Sequence, residues 1–293
     1  MRLASIKFQE EEIVAIVTKE GVIPVRAIND SGQNFADNLF ALITSEQLDE
    51  LQNWWSTEGL PNIDKWSKYV IPYDEVEYAP LYRHPRKIWG IGLNYLDHAN
   101  DLKEITPQTE PASFMKPDTA IIGPGDTIEV PKQSNRTTAE AELGVILKKR
   151  CYGIGEQEVP EYIAGYTSII DMTAEDILKE NPRYLTRSKS FNTFFSFGPH
   201  FVTSDEVDDL LNLKVATVIN GKIHRENIIS NMTFRPETLV AFHSQVMTLL
   251  PGDIISTGTP GAVVISEGDV VECHIEGFPP LVNPVKDLKV SKG

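Results

Sequence analysis

Thr137-Thr138-Ala139-Glu140-Ala141-Glu142-Leu143-Gly144-Val145-Ile146-Leu147 (TTAEAELGVIL) places two carboxylates two residues apart inside a run that otherwise favours burial. Side chains on a strand alternate faces with period 2, so Glu140, Glu142, Gly144 and Ile146 share one face while Ala141, Leu143, Val145 and Leu147 share the other. Both carboxylates point the same way. The ordinary fate of a Glu-x-Glu pair is a solvated strand face. Here, however, the shared face runs on into Gly144 and Ile146 and carries no Lys or Arg, and two like charges so placed are unfavourable without a nearby cation. A bound metal resolves the repulsion.

A chain of 293 residues can bury a full core, and its length fits a small domain followed by a larger one. The expected division is 1–75, a small β-rich N-terminal domain, and 76–293, a larger catalytic domain. With 42 acidic against 27 basic residues the net charge is −15, which disfavours nucleic acid and anionic membrane as partners. The two cysteines, Cys151 and Cys273, are too few for a disulfide framework and lack metal-ligand spacing, so both read as inert packing residues in a reducing, cytoplasmic compartment. The N-terminus has no sustained apolar core before Glu10-Glu11-Glu12, and no stretch of the sequence is apolar enough to span a membrane.

Residues 1 to about 30 alternate apolar and polar around a turn at Lys19-Glu20-Gly21, as a hairpin or small sheet does. Thr44-Ser45-Glu46-Gln47 has the form of a capping box, with Leu48, Leu51, Trp54 and Trp55 following at helical spacing. The Pro- and Tyr-rich segment 71–85 reads as a linker. Beyond it, Gly125-Asp126, Gly252-Asp253 and Gly268-Asp269 each read as a turn that launches a strand. A late helix begins near Pro236, directs Leu239, Phe242, Val246 and Leu249 inward, and stops at Pro251-Gly252. His243 on it reads as a satisfied or exposed helix residue.

GYTSIID ends in Asp171 after an apolar run, and DMTAEDIL then reads as a short helix capped by Thr173. Alone, Asp171 is a turn residue. With Glu140 and Glu142 it completes an all-oxygen ligand set, which suits a hard cation, Mg²⁺ or Mn²⁺ with Ca²⁺ also compatible, and disfavours Zn²⁺. Three protein ligands leave positions open for water or a chelating substrate.

Several separated blocks resemble the fumarylacetoacetate hydrolase superfamily. WGIGLNYLDHAND (89–101), SFMKP (113–117), EAELGVIL, GYTSIIDMTAED (165–176), SKSFNTFFSFGPHFV (188–202) and LLPGDIISTGTPGAV (249–263) with EGDVVECHIEGFPPLVNPV are similar to its motifs in order and spacing, over residues 85 to 288. The resemblance implies a mixed α+β, mainly β protein: a mixed β-sandwich roll with a small N-terminal domain, assembled as a homodimer. It makes Glu140, Glu142 and Asp171 the metal ligands and Lys189 the cation that stabilises negative charge, although Lys189 would otherwise read as an exposed strand lysine. His98 matches the histidine of a mobile lid helix, and Asp101, an i, i+3 partner, stands where hydrolytic members have the Glu that helps it activate water. Tyr95, Lys116 and Thr259 are implied to contact substrate. Thr257-Gly258-Thr259-Pro260 lacks the Lys-Ser/Thr of a phosphate loop and lines the site instead.

The chain departs from the family pattern at Ile170, Glu175, Leu178, Asn192 and Ser196. An Arg-to-Glu change at Glu175 reverses the charge of an anion-binding position, so the carboxylate clamp must be rebuilt, with Arg187 the first candidate and Arg183 the second. The implied activity is divalent-metal-dependent hydrolysis of a carbon–carbon bond in a 1,3-dioxo acid of the acylpyruvate or fumarylacetoacetate type. Oxaloacetate-type decarboxylation, hydroxyheptadienedioate isomerisation, and a metal-binding scaffold without catalysis are the alternatives.

Overall fold

The computed structural model describes residues 1–96 and 107–290. Its strands are β1 (Arg2–Phe8), β2 (Glu11–Val17), β3 (Gly21–Pro24), β4 (Ile71–Pro72), β5 (Ile88–Gly92), β6 (Ala112–Lys116), β7 (Ile121–Ile122), β8 (Ile128–Val130), β9 (Thr137–Leu147), β10 (Ile163–Ala174), β11 (Phe195–Thr203), β12 (Lys214–Ile219), β13 (Lys222–Ile228), β14 (Ile254–Ser256), β15 (Val263–Val264), β16 (Val270–Ile275) and β17 (Leu281–Asp287). Among the described residues they form two sheets. The larger runs β4-β3-β2-β1-β11-β10-β9-β14-β5-β6, with β7 on β11 and β15 on β9; the smaller runs β13-β12-β16-β17-β8. The protein is mixed α+β and mainly β. None of the described helices is long and apolar enough to cross a membrane.

β9 and β10 lie at the centre of the larger sheet and are buried along their whole length. The smaller sheet packs on their Ala141 side, where Ala141 N donates to Thr217 Oγ1 at 3.0 Å. That leaves Glu140 and Glu142 on the opposite face. Each Gly-Asp pair turns as expected: the glycines have φ near +80°, and Asp126, Asp253 and Asp269 each accept from a backbone N–H three residues earlier. Strands β8, β14 and β16 follow.

The N-terminal hairpin of β2 and β3 forms as expected, and β1 pairs antiparallel with β11 through Leu3↔Phe201, so these strands continue the sheet that carries the acidic residues. Segment 71–85 is pinned rather than free: Lys7 N donates to Glu77 O at 2.8 Å, Ala79 N to Ser5 O at 2.9 Å and the Tyr82 hydroxyl to Gly252 O at 3.0 Å.

Three local expectations are corrected. The capping box at Thr44 does not form. Thr44 and Ser45 close a preceding helix, Leu39–Thr44, by donating back to Phe40 O and Ala41 O, and Asn38 is the residue that caps an N-terminus here. Thr173 caps no helix, because β10 continues to Ala174 and its hydroxyl donates to Glu140 Oε1 at 2.6 Å. The helix Pro236–Val246 does start with Pro at N1, but its inward stripe is Leu239, Val240, His243 and Ser244; Phe242 is half-buried and Val246 is 54% exposed. His243 takes an inward place by bonding Leu239 O through Nδ1 at 2.7 Å and packing on Trp89.

Candidate metal centre

Antiparallel register sets Asp171 of β10 directly opposite Glu140 of β9. Period-2 alternation then adds Glu142 to the same face. Carboxylate oxygens from all three residues lie within 4.8 Å of one another, and all three residues are buried. Three carboxylates so close repel strongly at low dielectric, and the fold surrounds them with donors. Glu142 Oε2 accepts from Ser256 Oγ at 2.5 Å and Gly258 N at 2.8 Å. Gly258 reaches that position with φ +96°, where an added Cβ would lie 2.8 Å from Asn94 Cβ. Asn94 in turn ties the loop down, its Nδ2 donating to Thr257 O at 2.8 Å.

Two ammonium groups complete the cluster. Lys189 ends the short helix Leu185–Lys189 and is buried, not exposed on a strand; its Nζ reaches Glu140 Oε2 at 3.0 Å and Asp171 Oδ2 at 2.8 Å, and it lies 4.8 Å from the centre of the Phe114 ring. Lys116, from the end of β6, reaches Asp171 Oδ1 at 2.5 Å. Burial pulls the Lys189 ammonium down, but the charges of Asp171, Glu140 and Glu142 outweigh it and hold the group well above its ordinary value. Lys116 is pushed down by burial, which Asp171 only partly offsets. Burial, then the charges of Asp171 and Glu140, push Glu142 up to about 8 against the pull of Lys189.

Hard oxygen donors, buried and mutually converging, fit a divalent cation and relieve the same repulsion when one is bound. Glu140, Glu142 and Asp171 would hold it. The Tyr95 hydroxyl is buried, has no partner among the described residues, and is held above its ordinary pKa by burial and then by the charge of Glu142. Thr259 is 2% exposed, with its hydroxyl turned onto Gly261 of its own loop. Arg183 and Arg187 are exposed. His98 and Asp101 lie outside the described residues.

Ser256, Gly258, Asn94 and Thr173 support the carboxylates; Ser256 and Asn94 were not singled out in the sequence, Thr173 read as a helix cap, and Gly258 only as part of a loop lining the site. The signal for Ser256 is indirect, since β14 must pair with β9 at Gly144 before its hydroxyl can meet Glu142. Arg136 was also missed. It pairs with Glu175 through Nε, and Lys179 takes the other oxygen at 2.9 Å, so the reversed charge at Glu175 is answered by two cations.

The family model described as the fumarylacetoacetate (FAA) hydrolase C-terminal domain matches residues 87–286. The chain belongs to the fumarylacetoacetate hydrolase family. Members of this family similar to the chain include the mitochondrial oxaloacetate tautomerase Fahd2a of Rattus norvegicus, 35% identical over 74% of this chain and 71% of that protein. The crystal structure of 2-hydroxyhepta-2,4-diene-1,7-dioate isomerase from Mycobacterium marinum matches with a TM-score of 0.76 at 28% identity, covering 99% of this chain and all of that one. Maleylpyruvate hydrolase from Sphingobium sp. SYK-6, solved with manganese(II) ion and pyruvate, shares the fold with a TM-score of 0.80 at 24% identity over 98% of this chain and 99% of that one. The proteins similar to this chain thus include a tautomerase and an isomerase, and a hydrolase shares its fold.

Proposed function

We propose that this protein is a divalent-metal-dependent enzyme, using Mg²⁺ or Mn²⁺, that acts on a small oxo acid through its enolate. The observation that carries the reading is the pair of buried ammonium groups, Lys116 and Lys189, paired with Asp171 and Glu140, two of the three carboxylates that would hold the metal. With Glu142 giving up its proton on metal ligation, three carboxylates and two ammoniums leave one negative charge, and a divalent cation turns this into one positive charge. That balance matches a monoanionic oxo acid. When bound, the metal supplies Lewis-acid polarisation of the substrate's oxo group. Lys189, held charged by its neighbours, offers a donor to the oxygen on which enolate charge develops. Tyr95 offers a hydroxyl with no competing partner among the described residues, and Glu142 is kept in place by Ser256 and Gly258.

The favoured reaction is hydrolysis of a carbon–carbon bond in a 1,3-dioxo acid of the acylpyruvate or fumarylacetoacetate type, with His98 and Asp101 activating water. Tautomerisation or isomerisation of an oxo acid is the second reading, favoured by the 35% identity to the oxaloacetate tautomerase. Both need the enolate stabilisation, and only the first needs the water. A homodimer, tested by light scattering, belongs to the same proposal. Purified protein stripped by chelator and reloaded with Mg²⁺ or Mn²⁺ should turn over one class among acylpyruvates, oxaloacetate enol and heptadienedioates. His98→Ala should abolish turnover if the reaction is hydrolysis and largely spare a tautomerase. Failure to bind either cation overturns the proposal.

A further inference from the structure

The Glu140–Asp171 pair is one rung of a polar ladder. Thr138 lies opposite Thr173 on the next rung of the same face, and both hydroxyls reach Glu140 Oε1, at 3.4 Å and 2.6 Å. One rung further, Glu175 N donates to Arg136 O at 2.9 Å, so Arg136 and Glu175 continue the register. Period 2 puts Arg136 on the face of Thr138, Glu140 and Glu142. A buried strip of hydroxyls and carboxylates therefore leads from the metal centre to a guanidinium whose side chain is 50% exposed.

Glu175 is 7% exposed, and burying its carboxylate costs desolvation energy that an apolar residue would avoid. Arg136 and Lys179 occupy its two oxygens, so the cluster is net positive by one charge. Glu175 fixes Arg136 through Nε alone, and the two Nη groups have no protein partner among the described residues. A fork of N–H donors with a free outer edge, anchored at its inner nitrogen, is a carboxylate receptor.

We propose that Arg136, positioned by Glu175, is a distal anion subsite that selects oxo acids bearing a second carboxylate. This rests on reading the triad as the place where the 2-oxo acid end is held. The rungs of Glu140 and Arg136 are four residues apart, roughly 13 Å at about 3.3 Å per residue. An extended carbon chain advances about 1.2 Å per bond, and with a metal–oxygen contact at one end and a charge-assisted hydrogen bond at the other, about six or seven carbons span the gap. Glu175 thus does not reject anions; it moves the cation across the strand pair, from β10 to the start of β9.

The test is calorimetric binding to wild type, Arg136→Ala, Arg136→Lys and Glu175→Gln. Mn²⁺ is titrated first, and then 2-oxoheptanedioate and 2-oxobutyrate are titrated into the Mn²⁺-loaded proteins. Wild type should prefer the dicarboxylate. Arg136→Ala should weaken 2-oxoheptanedioate by about 10- to 100-fold while leaving 2-oxobutyrate and Mn²⁺ unchanged, with Arg136→Lys recovering part and Glu175→Gln losing part. An unchanged dicarboxylate affinity in Arg136→Ala, or equal losses for both oxo acids, overturns the subsite. A wild type that binds Mn²⁺ but neither oxo acid overturns the proposed function, and the subsite falls with it. Unaltered Mn²⁺ affinity shows that each variant is folded.

Discussion

At the residue scale, the acidic centre depends on side chains that never carry the chemistry. Glu142 accepts from Ser256 Oγ and Gly258 N, and outer contacts of this kind orient a ligand and set its basicity. Ser256→Ala should therefore lower Mn²⁺ affinity by about 10- to 100-fold without unfolding the protein, read by calorimetry alongside a thermal melt. His200 shows a second single-residue effect. It is buried, with Nδ1 unpartnered among the described residues and Nε2 3.2 Å from the Tyr78 hydroxyl. Burial, then the charge of Arg2, hold it down at about 4 against an ordinary 6.5. Between these values the unfolded chain binds the proton and the folded one does not. The contribution is thus fully present above pH 6.5 and is lost as pH falls toward 4, amounting to about 3 kcal/mol at most. Urea midpoints at pH 7 and pH 4.5 should differ less in His200→Gln than in wild type, and an identical acid slope in the two proteins would remove His200 as a source.

At the element scale, the strand pair that holds the site was legible because its signals are local. Glu140 and Glu142 on one strand face, the three Gly-Asp turns and the Pro236 start all follow from short-range periodicity or turn chemistry, and the structure contains each. What depended on distant partners was not legible. Thr173 has the composition of a cap, yet Glu140, 33 residues away in sequence, takes its hydroxyl and holds the residue in the strand. Val246 fits a helical stripe, but His243 can bond its own helix and take the inward place. Lys189 reads as a surface residue until Glu140 and Asp171 are brought to it. Glu175 reads as a lost anion site until Arg136 is set opposite, because a cross-strand neighbour leaves no trace at sequence spacing. The same dependence on pairing makes a prediction at Gly165, where β10 shifts register. A Cβ there would lie 2.2 Å from Val202 O, a backbone atom that cannot move without opening the β10–β11 ladder. Gly165→Ala should cost about 3 kcal/mol, at the upper end of overpacking penalties, whereas at Gly155 an added Cβ would meet only the Glu158 side chain among the described residues, at 3.6 Å. If the two Ala variants have similar urea midpoints, close packing at the bulge is not what requires the glycine.

At the scale of the whole molecule, the question is whether residues 1–75 are a separate unit or part of the sheet that builds the site. β1 covers the edge of β11 through Arg2↔Val202, Leu3↔Phe201 and Ala4↔His200, and Thr203 N donates to Met1 O at 3.0 Å. Leu3, Val14, Ile16 and Ile23 belong to the same apolar core as Phe197, Phe201, Leu143 and Ile169. β11 is also the strand next to β10, which carries Asp171. Removing residues 1–75 would leave the His200–Val202 end of β11 unpaired beside an uncovered apolar face, and such an edge pairs with other chains. The strong net negative charge of the intact chain opposes association, but long-range repulsion is screened at physiological salt and does not satisfy unpaired strand groups. A fragment of residues 76–293 should therefore elute as soluble aggregate in size-exclusion chromatography, melt without a cooperative transition, and bind Mn²⁺ at least tenfold more weakly than the full chain, because Asp171 loses the support of its neighbouring strand. A fragment that stays dispersed, melts cooperatively and binds Mn²⁺ like the full chain would instead show that the N-terminal strands are an independent module docked on a finished sheet.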